Sequence, residues 1–79
     1  MIKQAHKKGK GIVHSDPEIL SGTPVFVGTR VPVESLFDWL EGGYSLDYWL
    51  ENFPSVKREQ AIAALEMSRH SLIEFAHSA

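Results

Sequence analysis

The apolar residues of this chain change their period at Pro32, and that switch limits the folds open to it. From Gly11 to Val33, short β-prone pieces are cut by glycine and proline. Ile12-Val13-His14 runs into the turn-rich Ser15-Asp16-Pro17, and Ser21-Gly22-Thr23 breaks the chain again. Val25-Phe26-Val27 and Arg30-Val31 flank Gly28-Thr29. A two-residue loop that begins with glycine predicts a type II′ hairpin, because glycine accepts positive φ at no steric cost. Pro24 and Pro32 bracket this hairpin and cannot donate to a ladder, so its strands are short or lie at an edge.

Beyond Pro32 the spacing is helical. Val33, Leu36, Phe37 and Leu40 fall on one face of a first helix. Gly42-Gly43 stops it, with Gly42 expected at the left-handed position past the end. Ser45 caps a second helix with Asp47 in its first turn, favourable to the dipole. That helix carries Leu46, Trp49, Leu50 and then Phe53, and ends near Asn52, because Pro54 disfavours helical geometry at the residue before it. A third helix runs from about Lys57 towards His77, with Ala61, Ile62, Leu65, Leu72, Phe75 and Ala76 as its expected buried stripe and Ser68 as a small filler. Ser55 suits its N-cap by residue type. Lys57 in that place would instead put Val56 and Ala61 at the positions of a hydrophobic staple. The expected fold is mainly α, an N-terminal β-hairpin followed by a three-helix, helix-turn-helix-like bundle. Nothing in the pattern offers a βαβ unit.

A chain of 79 residues without cysteine supports one domain, and neither disulfides nor thiolate metal sites reinforce it. A core of this size rarely supplies more than about 3–5 kcal/mol, which favours association, with a second copy or another protein. No apolar run approaches a membrane span and no signal-peptide core follows the N-terminus, so a cytoplasmic setting is expected. Residues 1–10 hold Lys3, Lys7, Lys8 and Lys10 and no acid, whereas the remaining residues hold four Lys and Arg against ten acids. A basic arm, either touching phosphates or simply solvated, therefore precedes an acidic single domain at 11–79.

Five kinds of chemistry are open to these residues. In a helix-turn-helix built from the second and third helices, Lys57, Arg58 and Gln60 would sit at the start of the reading helix, with side chains suited to phosphate, guanine and adenine. Arg30, just past the hairpin turn, either presents a fork to a phosphate or carboxylate or clamps Glu34 or Asp38 of the following helix. His70 and His77 lie seven residues apart, about 10 Å along a helix, too far to share an ion, and no metal or cofactor is expected. No phosphate loop, cysteine nucleophile or triad spacing points to an enzyme. Finally, Trp39, Tyr44, Tyr48, Trp49 and Phe53 crowd the region of the second helix, the first four as interface candidates, since rings of this kind are enriched where proteins meet. So small a core has little use for all of them.

From Asp16 to Arg69 the chain resembles the bacterial and archaeal domain-of-unknown-function family 433. The resemblance rests on Gly22-x-Pro24-Val25-x-x-Gly28-Thr29-Arg30-x-Pro32-Val33, then Gly43-Tyr44-Ser45, Asn52-Phe53-Pro54 and Ala61-Ile62-Ala63-Ala64-Leu65. It implies a helix-turn-helix-like trihelical fold and a VapB-like antitoxin role, in which the chain binds and silences a PIN-like ribonuclease toxin and represses its own operon, often as a dimer. The alternatives are a stand-alone DNA-binding repressor and a dimeric interaction scaffold. Gly22, Pro24, Gly28, Thr29 and Arg30 transfer as motif positions with structural roles, and no catalytic residue transfers. Tyr48 and Trp49 are bulkier than the aliphatics expected there.

Overall fold

Val13–His14 (β1) and Val25–Phe26 (β2) pair antiparallel, Val13 opposite Phe26 and His14 opposite Val25, in the computed structural model, which describes residues 11–78. The basic arm at 1–10 lies outside the described residues. The loop between the strands starts with a turn in which Asp16 accepts from Glu18 N through its carboxylate (2.9 Å) and from Ile19 N through its carbonyl (2.8 Å). A 3-10-type turn follows at Leu20–Gly22, and it is wound left-handed: φ is 49°, 55° and 91° at Leu20, Ser21 and Gly22. Left-handed geometry costs an L-residue roughly 1–2 kcal/mol, so only Gly22 adopts it freely.

The second reversal departs from the expected frame. Thr29 N donates to Phe26 O (3.0 Å), which makes Val27 and Gly28 the central pair, and Gly28 carries the positive φ of 83° in second place. That is the sign pattern of a type II turn, not of type II′. The cause is Thr29, whose buried hydroxyl donates to Phe26 O and accepts from Val31 N, both at 2.9 Å. Arg30-Val31 forms no strand. It returns through one bridge, Val25 to Pro32, with Phe26 N donating to Val31 O.

Three helices follow, Val33–Glu41 (α1), Leu46–Asn52 (α2) and Arg58–Ser78 (α3). The fold is thus mostly helical, a small antiparallel hairpin before three helices. α1 ends in a Schellman motif one residue later than expected. Gly43, not Gly42, is left-handed (φ 95°), while Gly42 keeps φ −79°. Gly43 N donates to Leu40 O and Tyr44 N reaches back to Trp39 O, each at 3.0 Å. The motif favours a hydrophobic contact between the residues at its two ends. Here these are Trp39 and Tyr44, with ring centroids 5.1 Å apart.

Ser45 caps α2 as expected, its hydroxyl accepting from Tyr48 N at 3.1 Å. Ser45→Ala removes that acceptor and is expected to cost about 1 kcal/mol. In a thermal melt this is a fall of roughly 4–8 °C. An unchanged melting temperature would show that water replaces the cap.

The core lies where β2, α1, α2 and the first turns of α3 converge. Phe26, Leu36, Trp49 and Ala61 are fully buried, and Val56 and Ala64 nearly so. Val56 and Ala61 flank the start of α3 as the staple expected with Lys57 as N-cap. The expected stripe of α3 is only half realised. Of its six residues Ala61 is buried and Leu65 packs half-buried against the core, whereas Ile62, Leu72, Phe75 and Ala76 are exposed; Ala64, outside the expected stripe, is buried where Ile62 was expected. A helix of 21 residues is about 31 Å long and outruns a body built on helices of nine and seven residues.

Candidate functional site

Aromatic rings form a continuous path from the core to the surface, built by the two helix ends that meet at Gly43. Phe26 touches Trp49 (centroids 5.7 Å), and Trp49 touches Phe53 (5.0 Å). Phe53 meets Trp39 edge-on, at 5.4 Å and 78°. Trp39 in turn lies under Tyr44 and Tyr48, at 5.1 and 6.0 Å. The two tyrosines stack on one another at 5.6 Å and 20°. The capped ends of α1 and α2 set their backbones: Tyr44 is the residue tied back to Trp39 O, and Tyr48 N is the donor to the Ser45 cap.

Exposure divides the four aromatic candidates. Tyr44 is 52% and Tyr48 47% exposed, Trp39 is half-buried, and Trp49 is fully buried. Trp49 is therefore a core residue, a correction to its expected place at an interface. Its position facing Phe26 leaves it no surface to offer. Its Nε1 has no hydrogen-bond partner among the described residues. Phe53, one of the crowded rings, is the link that ties the surface rings to the core. Between Val31 and Val56 the chain also holds five acids, Glu34, Asp38, Glu41, Asp47 and Glu51, and no lysine or arginine. All five are exposed, so the two helices that carry the tyrosines are acidic.

The residues read as nucleic-acid contacts are used differently. Gln60 bonds the fold through both ends of its amide: Oε1 accepts from Lys57 N, and Nε2 donates to Val27 O, each at 3.0 Å. The first bond is the back-reaching half of a capping box, and the second pins α3 to the Val27–Gly28 turn. Gln60 thus has a structural role, with both ends of its amide bonded within the fold. Gln60→Ala is expected to cost about 1–2 kcal/mol from these two bonds, read in a urea titration, with the salt dependence of any nucleic-acid binding unaltered. A stability equal to that of the parent chain would refute the assignment.

Arg58 pairs with Asp47 of α2. That pair is exposed and worth little energetically, but it ties up the cation. Arg30 is exposed and pairs with no carboxylate among the described residues, so it does not clamp Glu34 or Asp38. It borders an open hollow with His14, Gly28 and Ser55, and Lys57 borders an adjoining hollow that shares Gly28 and Ser55. Arg30 and Lys57 thus border two hollows that meet at Gly28 and Ser55, the second of them also lined by Glu59.

The motif residues have local roles. Gly22 and Gly28 supply positive φ, Pro24 O accepts from Val33 N, and Thr29 ties the turn. No helix among the described residues is long and apolar enough to cross a membrane.

"Uncharacterized protein y4eO" of Sinorhizobium fredii is 47% identical to this chain over 49 residues. The match covers 62% of this chain and 22% of that longer protein. No solved structure matches the chain significantly. The model of the family described as "Protein of unknown function (DUF433)" matches residues 13–66, the stretch that holds the hairpin, the glycine-rich turns, α1, α2 and the packed turns of α3, and the chain belongs to that family.

Proposed function

We propose that this chain is an antitoxin-like binding module that acts in the cytoplasm by docking on a PIN-like ribonuclease and silencing it, and not by catalysis. The observation that carries this reading is the Tyr44–Tyr48 stack, half-exposed and braced from the core through Trp39 and Phe53. Rigid tyrosines give large contact area at low entropic cost, which is what an interface anchor needs.

The charge around the stack fits the same partner. A ribonuclease grips a polyanion with cationic side chains, and it grips unpaired bases by stacking. A surface of tyrosines on acidic helices complements a site of that kind in charge and in shape, and suits a single-stranded nucleic acid poorly. The test uses the purified chain and the product of a neighbouring gene that encodes a PIN-like ribonuclease, where the genome holds one. Stoichiometric inhibition of RNA cleavage, weakening as salt rises, is the expected result. No complex at micromolar concentrations would remove the proposal.

A second reading, operator binding, is favoured by Arg30 and Lys57, which border the two hollows that meet at Gly28 and Ser55. Binding through phosphate contacts gives a steep fall of affinity with salt on logarithmic axes, and a flat response rejects it.

A further inference from the structure

We infer that the Tyr44–Tyr48 stack is a receptor for an arginine side chain of the partner protein, with Glu41 and Glu51 as its counter-charges. The inference deepens the docking reading by naming the chemical group that docks, and it rests on that reading only for the identity of the partner. Trp39, Tyr44 and Tyr48 lie with ring centroids 5.1 to 6.0 Å apart, their planes inclined to one another by 20° to 46°. Aromatic faces carry partial negative charge, so three rings gathered in this way attract a cation. Each tyrosine keeps about half its surface open, which leaves room for a flat group laid against it.

Carboxylates accompany the rings. Glu51 follows Tyr48 by three residues on α2, a spacing that makes the two neighbours on one helix face. Glu41 closes α1 three residues before Tyr44. Both are exposed, and neither pairs with a cation among the described residues. Asp47, by contrast, is already met by Arg58. A guanidinium of the chain itself thus answers one carboxylate of α2, and Glu51 awaits another. A partner that lands on Tyr48 also screens Glu51 from water, and a carboxylate screened without a counter-charge is costly. An apolar side chain supplies no such charge.

Among the groups that do, arginine fits best. Its guanidinium is flat and weakly hydrated, and it stacks on a ring while its N–H groups reach a carboxylate. Lysine offers a compact, strongly hydrated charge that suits a ring face less well. A nucleobase also stacks on tyrosine, but it arrives with phosphates. Between Val31 and Val56 the chain opposes those phosphates with five acids and no lysine or arginine.

The test titrates the full chain with two end-blocked peptides of equal charge, tetra-arginine and tetra-lysine, followed by nuclear magnetic resonance. Tetra-arginine is expected to bind about three- to tenfold more tightly, the size of an exposed contact between a cation and a ring. Its methylene protons should shift upfield in the ring current and show cross-relaxation with the tyrosine ring protons. Tyr48→Leu keeps apolar bulk but removes the ring, and is expected to erase the preference for arginine, which Tyr48→Phe retains. Glu51→Gln is expected to weaken both peptides alike, by about two- to fivefold. Tyr44→Leu repeats the comparison at the second ring if Tyr48→Leu loses the circular dichroism of the parent. Equal affinity for the two peptides overturns the inference, as does the absence of binding at millimolar concentration or an arginine preference that survives loss of the ring. A chain that selects arginine yet binds no PIN-like ribonuclease keeps this site and loses the docking reading. A chain that silences the enzyme without preferring arginine loses this inference alone.

Discussion

Trp49→Ala is expected to leave the chain largely unfolded at 25 °C. The side chain is the largest of those fully buried and touches Phe26 on one side and Phe53 on the other. Truncating a buried tryptophan costs about 3–5 kcal/mol through lost transfer energy and the cavity left behind. A lone domain of this size holds about the same amount in total. The loss therefore removes most or all of the folding free energy. Trp49→Phe makes the mechanism visible. It keeps a ring between Phe26 and Phe53 and deletes the indole N–H, which is buried with no partner among the described residues. An unsatisfied buried donor costs about 1–3 kcal/mol, so removing it offsets much of the volume lost. The expected order of stability is parent, then Phe, then Ala, measured by urea unfolding at one fixed protein concentration, since dimerisation would add a concentration term. An alanine variant with a cooperative transition near that of the parent would contradict the placement of Trp49.

The second large effect concerns binding and not folding. Replacing Tyr44 and Tyr48 together with alanine is expected to weaken the complex with the ribonuclease by at least about 2 kcal/mol, a factor of roughly 30. Both rings are about half exposed, so their removal leaves the core intact. The melting temperature should fall far less than with Trp49→Ala. Tyrosine to phenylalanine at both positions keeps the stack and should retain most of the affinity. The decisive comparison is between titrations of the parent and of the double alanine variant against the same enzyme. Equal affinity would mean that the partner docks elsewhere, and α3 would be the next surface to probe.

Helix positions were legible because local chemistry sets them. Pro54 ends α2 at Asn52, Ser45 starts it, and Gly42-Gly43 stops α1, whatever the chain packs against. The hairpin was legible as a reversal but not in its frame. Choosing between Gly28-Thr29 and Val27-Gly28 as the central pair depends on the Thr29 hydroxyl, which bonds Phe26 O and Val31 N at once. Glycine can serve at either place. The left-handed turn at Leu20–Gly22 had no signal beyond its glycine, since two of its three residues adopt a conformation their side chains disfavour.

The site was legible as a crowd of rings and not as an arrangement. Periodicity sets Trp49 with Leu46 and Leu50 on the apolar side of α2 and leaves Trp39 and Tyr48 off it, yet the crowding of the rings offers all four to a partner, because helices this short do not show how deeply each ring is covered. Packing separates them: Phe26, contributed from more than twenty positions earlier in the chain, closes over Trp49, and the end of α1 lifts Tyr44 onto the surface beside Tyr48. For α3 the period is the same from Ala61 to Phe75, so the residues alone promise a buried stripe throughout. Burial stops where the partner elements stop.

Residue order by itself determined the three helices, the Ser45 cap and the apolar sides of α1 and α2, because capping bonds and helical spacing act over three or four residues. Which half of α3 is covered, which tryptophan is core and which cations are free were decided only by tertiary contacts. Those depend on distances between segments far apart in the chain, where the length of one helix is measured against the size of the body it crosses.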